Sequence, residues 1–285
     1  MKFDTPEMFR VYQTSTGIHL EHSGESRNVR LSIDELFRAD EPLDLVREAW
    51  DSGSPGDLPD GLVAPIGSQE VWAAGVTYYR SRTARMEESE EAGGDRFYDL
   101  VYDAERPELF FKATARRVRA PGATVGIRSD STWDVPEPEL TLAINKNGKV
   151  FGATIGNDMS SRSIEGENPL YLPQAKVYTG SASLGPCLLV GSLPGPDDEI
   201  TLSISRNGEE VFRGKTAVSQ LKRGYDELAG FLFKENDFPD GALLMTGTGV
   251  VPDHPFTLQS GDEVSITIDG IGTLTNTVAS AGSMA

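Results

Sequence analysis

Two glutamates flank a single proline in the run Trp133-Asp-Val-Pro-Glu137-Pro-Glu139-Leu-Thr-Leu-Ala. An aspartate follows after an Asn-Gly turn, in Ala153-Thr-Ile-Gly-Asn-Asp158-Met-Ser-Ser-Arg162. Side chains two positions apart share one face of a β-strand, so Glu137 and Glu139 point the same way while Pro138 faces the other side. Carboxylates held that close repel each other. A divalent cation between them would reverse the sign, and a hairpin return would bring Asp158 to the same place. Three carboxylates with no nitrogen or sulfur ligand suit a hard ion, Mg²⁺ first and Mn²⁺ or Ca²⁺ next. A solvated acidic strand would account for the same spacing in so acidic a chain. Pro138 has no N–H to donate, which places it where the strand has an open edge.

Other chemistries have little to build on. His19, His22 and His254 are scattered, none has a partner at zinc-ligand spacing, and all are expected at the surface. The chain has no Gly-x-Gly-x-x-Gly between a strand and a helix, no phosphate loop and no Gly-x-Ser-x-Gly elbow. Cys187, the one cysteine, lies in the apolar run Gly-Pro-Cys-Leu-Leu-Val and reads as a core residue. A lone cysteine builds neither an internal disulfide nor a multi-thiolate site, so a reducing cytoplasm is the expected compartment.

The elements that would position the carboxylates follow from periodicity. Alternating apolar residues in Phe9–Val11 and Ile18–Leu20 suggest strands, and a helical pattern runs from Ser32 through Trp50. Pro, Gly and Asp then crowd together from Asp51 to Gly61, which marks a linker. The expected division is therefore a small N-terminal α/β domain over 1–65 and a larger domain over 66–285. In the latter, Glu70–Gly75 reads as a buried strand, and Arg82, Arg85 and Met86 recur at helical spacing within Tyr78–Glu91. The charged stretch Glu87–Asp103 has the composition of a surface segment or an active-site lid. Beyond Glu108 the pattern is mainly β, with turns at Asn147-Gly148, Asn207-Gly208 and Asp269-Gly270, and one helix is expected over Ala217–Phe233. With 44 acidic against 26 basic residues the net charge is −18, which repels nucleic-acid backbones and anionic membranes. An acid-rich protein of a high-salt cytoplasm and an ordinary acidic enzyme both fit that balance. The chain has no apolar run of the roughly 18–20 residues a membrane helix needs, and no export signal is expected.

Taken in order, these motifs resemble the fumarylacetoacetate hydrolase superfamily. Its signature joins a Glu-x-Glu pair to an Asn-Asp-x-Ser-x-Arg segment, then a lysine, a Leu-Gly-Pro and a late Gly-Thr. The match here runs through Glu137 and Glu139, Asn157-Asp158 to Arg162, Lys176 in Pro173-Gln-Ala-Lys-Val-Tyr178, Leu184-Gly185-Pro186, and Thr246-Gly-Thr248-Gly249. The resemblance implies an α+β fold, a mixed twisted β-roll carrying the site beside the small N-terminal domain, assembled as a homodimer or homotetramer. It implies metal binding by Glu137, Glu139 and Asp158.

Many members carry a histidine and a glutamate in the lid region; Ser81 and Ala84 stand there in this chain. Such a pair can activate water, so its absence argues against hydrolytic C–C cleavage. The runs Ser161–Lys176, Gly75–Arg82 and Glu108-Leu-Phe-Phe-Lys112 look more like the branch that dehydrates 2-keto-3-deoxy sugar acids. That branch implies loss of water from a five-carbon 2-keto-3-deoxy acid to give 2,5-dioxopentanoate, in pentose breakdown. Glu108, Lys176 and Glu165 are then the expected catalytic residues, and Arg82, Lys112 and Thr248 the substrate contacts. An acylpyruvate hydrolase or oxaloacetate decarboxylase is the nearest alternative chemistry. A non-catalytic, metal-binding oligomeric module is the alternative of another class.

Overall fold

Asn-Gly, Asp-Gly and related turns let an alternating chain reverse on itself, and most of this chain is built that way. The computed structural model describes residues 7–58, 60–78 and 100–284. Ser81, Arg82, Ala84 and most of the helical pattern over Tyr78–Glu91 lie outside the described residues. β1 (Phe9–Thr14), β2 (Gly17–His22), β3 (Glu25–Val29) and β4 (Ser54–Pro55) pair in succession. β5 (Glu70–Gly75) and β6 (Glu108–Thr114) form an antiparallel pair, followed by the short β7 (Val118–Arg119) and β8 (Thr124–Ile127). β9 (Asp134–Ile144) and β10 (Val150–Ser161) make the long central hairpin, and β11 (Ala182–Val190) pairs with β10. β12 (Glu199–Arg206), β13 (Glu209–Ala217), β14 (Ala242–Met245), β15 (Glu263–Ile268) and β16 (Gly272–Ser280) complete the strands.

They form two sheets. An 11-stranded sheet runs β4-β3-β2-β1-β11-β10-β9-β14-β5-β6, with β7 paired to β11; a five-stranded sheet runs β13-β12-β15-β16-β8. The N-terminal strands thus enter the larger sheet through the β1–β11 pair. Phe9, Val11, Phe37 and Val46 from this segment share one core with Val71, Ala143, Leu184 and Leu243. A second core, including Leu140, Ile155, Cys187, Leu202 and Ile266, fills the space between the two sheets. Cys187 is buried there, as its apolar neighbours indicate, and burial pushes its thiol up to about 12.

Three local expectations change. The helical pattern over Ser32–Trp50 forms two helices, Ile33–Arg38 and Pro42–Ser52. Pro42 cannot donate to a preceding turn and instead starts the second helix. Ser32 and Glu35 form a reciprocal capping box at the first. The helix expected over Ala217–Phe233 occupies only Tyr225–Leu232. β13 continues to Ala217, Leu221 bridges to Tyr78, and Gly224 holds an extended conformation as the N-cap. His19 is buried, because β2 lies between β1 and β3. Among the described residues, no helix is long and apolar enough to cross a membrane.

Candidate active site at the end of a buried sheet face

The register of the β9–β10 hairpin assembles the carboxylates. Asp158 pairs directly with Glu137, and Gly156 with Glu139, so all three acids rise from one face of adjacent strands. A ligand oxygen from each lies within 4.8 Å of the others, and all three residues are buried. The same face continues along β9 through Thr141 to Ala143, which belongs to the core. The site is therefore the polar end of an apolar sheet face, which rules out a solvated acidic strand.

Pro138 fits because β14 pairs with β9 only from Thr141 to Ile144. The N–H of Thr246 still donates to the carbonyl of Leu140 at 3.0 Å, after which the chain turns away. The edge facing β14 is open at Pro138, where no N–H is needed. At the turn, Gly247 holds φ +94°, and a Cβ there would collide with Oγ1 of Thr77 and the carbonyl of Ala74. This left-handed conformation aims the N–H of Gly247 at Oε2 of Glu139, 2.6 Å away.

Three cations face the three acids. Lys176, at the end of the short helix Leu172–Lys176, donates to Oε2 of Glu137 at 2.9 Å, Oδ2 of Asp158 at 3.1 Å and Oγ of Ser160 at 2.6 Å. Arg162 opens the helix Arg162–Glu167 and contacts Oε1 of Glu137 through Nε at 3.1 Å and a terminal nitrogen at 2.9 Å. Lys112 on β6 pairs with Oδ1 of Asp158 and donates to the carbonyls of Met159 at 3.0 Å and Lys176 at 2.5 Å. Burial pulls Lys112 below the ordinary lysine range, opposed by its pairing with Asp158. Glu139 is pushed well above the usual carboxylate range, first by burial and then by the charges of Asp158 and Glu137, with Lys176 and the Gly247 N–H opposing. An all-oxygen donor set whose third acid resists ionisation on its own fits a divalent hard cation.

The pocket over this cluster is lined by Gly75, Phe110, Glu137, Glu139, Asp158, Arg162, Lys176 and Thr248, among others. Thr248 is thus where a substrate contact is expected, its hydroxyl bonded to the carbonyl of Val250 at 3.1 Å. Glu108 opens β6 opposite Gly75, and its carboxylate lies where a Cβ of Gly75 would be, so only glycine admits it. Glu165 is buried one turn after Arg162. None of Glu108, Glu165 and Lys112 is itself among the described residues that line the pocket. Lys112, expected to touch substrate, lies beneath the acids with its ammonium turned to protein oxygens.

The sequence reading gave no role to Ser160, Arg162 or the Gly247 amide. The strand period carried a signal for Ser160, because residues 158 and 160 share one face of β10, whereas Arg162 already opens the next helix. The amide's role depends on how the chain leaves β14, which no side-chain pattern encodes.

Residues 79–279 match the family described as Fumarylacetoacetate (FAA) hydrolase C-terminal. A Haloferax volcanii protein named "Probable 2-keto-3-deoxyxylonate dehydratase" is 47% identical over 252 residues, covering 87% of this chain and 83% of its own. A Saccharolobus solfataricus protein named "2-dehydro-3-deoxy-D-arabinonate dehydratase" is 42% identical over 216 residues, covering 75% of this chain and 72% of its own. The solved structure described as "2-keto-3-deoxy-D-arabinonate dehydratase complexed with magnesium and 2,5-dioxopentanoate" superposes with a TM-score of 0.81 at 32% identity, covering 96% of this chain and 99% of that one. On the profile match and these relatives, the chain belongs to the fumarylacetoacetate hydrolase C-terminal family.

Proposed function

We propose that this chain is a Mg²⁺-dependent hydro-lyase that removes water from a five-carbon 2-keto-3-deoxy sugar acid to give 2,5-dioxopentanoate. The observation that carries the reading is the 42–47% identity, across most of the chain, to relatives named as dehydratases of such acids. Glu137, Glu139 and Asp158 would hold the ion, with Mn²⁺ or Ca²⁺ as alternatives to Mg²⁺. A divalent cation held there would supply positive charge for the oxygens of a 2-keto acid, which would acidify the C3 protons.

The remaining roles belong to the chain. Glu108, packed against Gly75 of the pocket wall, takes a proton from C3. Glu165 assists departure of the C4 hydroxyl, which leaves as water when the C4–O bond breaks and C3=C4 forms. A proton moved from C5 to C3 then gives the C4=C5 enol, and transfer of the enol O–H proton to C4 leaves C5 as the aldehyde. Lys176 lines the pocket and presents its charge to the substrate, trading its bond to Ser160 for one to a substrate oxygen. Thr248 and Arg82 contact the carboxylate or hydroxyls. Lys112 acts through Asp158 and the backbone of Lys176, as a positioning residue. The enzyme works in the cytoplasm as a homodimer or homotetramer.

A coupled assay tests this directly. With 2-keto-3-deoxy-D-arabinonate as substrate and a semialdehyde dehydrogenase to report 2,5-dioxopentanoate, turnover is expected with Mg²⁺ and its loss with EDTA. No turnover at low or high salt, together with cleavage of acylpyruvates or decarboxylation of oxaloacetate, would replace this reading by the hydrolase or decarboxylase one.

A further inference from the structure

The acidic surface of this chain ties up most of its described cations. Arg10, Arg38, Arg47, Arg128, Arg206, Lys149 and Lys215, for example, all lie within ion-pair distance of carboxylates. Arg116, Arg117 and Arg119 are different. They sit within four residues on the 3-10 turn Ala115–Arg117 and on β7, and none pairs with a carboxylate among the described residues. The Nε of Arg119 is buried with no hydrogen-bond partner there. Together with Val177, Tyr178, Thr179 and Gly180, these arginines line a depression of about 370 Å³, separate from the carboxylate pocket. Tyr178, on the same wall, also has a buried hydroxyl without a partner among the described residues.

Like charges gathered without counter-charge cost free energy, and a buried guanidinium N–H left unbonded adds to that cost. Three guanidinium groups around one concavity, Arg116 and Arg117 exposed and Arg119 half-buried, are relieved together by a single ligand with several negative charges. Guanidinium forks match the oxygen pairs of a phosphate group in bidentate geometry. A monocarboxylate such as a sugar acid brings too little charge for three of them. An extended polyanion such as a nucleic acid would meet the field of a chain of net charge −18 before it met this patch. The ligand class that remains is small, compact and multiply charged.

We propose that this pocket is a binding site for a compact anion bearing phosphate groups. Its walls tie it to the first site: Val177 directly follows Lys176, and Arg116 stands four residues after Lys112. An anion here therefore bears on the two segments whose lysines grip Asp158, without touching the substrate pocket. The inference does not depend on the reaction proposed above.

The test is calorimetric titration of the full-length protein with inorganic pyrophosphate in EDTA, at ionic strength held constant with KCl. Citrate and orthophosphate serve as separate arms. Saturable binding at one site per chain is expected, tighter for pyrophosphate than for citrate. In Arg117→Gln/Arg119→Gln it should weaken by about tenfold or more per guanidinium removed. Retention of the Mg²⁺-induced rise in melting temperature would show that this variant is folded, and Arg116→Gln alone should weaken binding in the same direction. No saturable heat, or equal affinity in the variants, would overturn the proposal. Citrate binding as tightly as pyrophosphate would overturn the phosphate assignment. A change of oligomeric state in the variants, with no anion uptake by the wild type, would mean that the arginines face a second copy of the chain instead.

Discussion

Glu139→Gln should make the metal-free protein more stable while abolishing its response to Mg²⁺. Oxygens of Glu137, Glu139 and Asp158 lie within 4.8 Å of one another. At an effective dielectric constant of about 20, two unit charges at that separation repel by about 3.5 kcal/mol. Lys176 reaches Glu137 and Asp158, and Arg162 reaches Glu137, whereas the hydrogen bond recorded for Glu139 comes from the Gly247 amide. Glutamine keeps an oxygen for that amide and removes the charge, and its NH₂ can donate to either neighbouring carboxylate. Allowing for the attraction to Lys176 that is also lost, the gain should be about 1–3 kcal/mol. Urea unfolding in EDTA measures it. The wild type should gain about 2.7 kcal/mol when Mg²⁺ is a hundredfold above its dissociation constant, and Glu139→Gln should gain almost nothing. A variant less stable than wild type in EDTA, or one that keeps the Mg²⁺ response, would refute the assignment of Glu139 as an acid held in place for a cation.

Lys112→Met should cost roughly 3–5 kcal/mol in EDTA, because it leaves Asp158 buried beside an apolar group, and Mg²⁺ should restore part of that loss; unfolding curves with and without the ion report both. If Lys112→Met instead raised only KM at unchanged stability, Lys112 would be a substrate contact after all. Glu108→Gln should lower kcat by about 10²–10⁴ while leaving Mg²⁺ binding intact, the pattern of a lost general base, read by steady-state kinetics and calorimetry together. Asp134→Asn should stabilise the protein above pH 6. Burial raises Asp134 to about 6, against opposition from Ser131, Arg128 and its backbone. The folded chain therefore holds a proton that the unfolded chain has released, and wild-type stability falls as pH rises from about 4 to about 6. The variant lacks this fall, so its advantage should open across that window and approach about 3 kcal/mol near pH 7. Parallel pH dependences for the two proteins would show that Asp134 ionises without penalty.

The parts of this molecule that could be read from its sequence are those governed by strand period and turn chemistry. Glu137, Glu139 and Asp158 converge because the side-chain repeat is two and the hairpin at Asn147-Gly148 fixes the register. The core position of Cys187 and the strands at Glu70 and Glu108 follow from the same rule. Tertiary pairing decided what periodicity left open. Leu221 has helical spacing to Tyr225, yet it bridges to Tyr78 across the sequence. Lys112 stands in a run that resembles substrate-binding segments, but whether its ammonium turns up into the pocket or down onto Asp158 depends on how β6 crosses beneath Lys176. The segment before residue 65 carries its own helical and strand patterns, while the β1–β11 pairing that ties it to the larger sheet has no local signature.

The balance of charge explains why so many ionic groups are buried together. The formal charges of Glu137, Glu139 and Asp158 are cancelled by those of Lys112, Lys176 and Arg162, so the cluster is neutral as the chain alone builds it. Neutrality overall does not make it comfortable, since Glu139 is left nearest to two acids and farthest from direct cationic contact. A divalent ion held there would relieve that one position and leave an excess of two positive charges. In the proposed reaction a 2-keto acid would bring one negative charge on binding and acquire a second as its C3 proton departs, so the cluster would return to neutrality when the reacting atoms are most anionic. Complementarity of that kind lowers the barrier more than it tightens ground-state binding. On the proposed reaction the second lysine would have a purpose: without Lys112 the same cluster would reach neutrality one charge too early, with the substrate bound and its proton still in place.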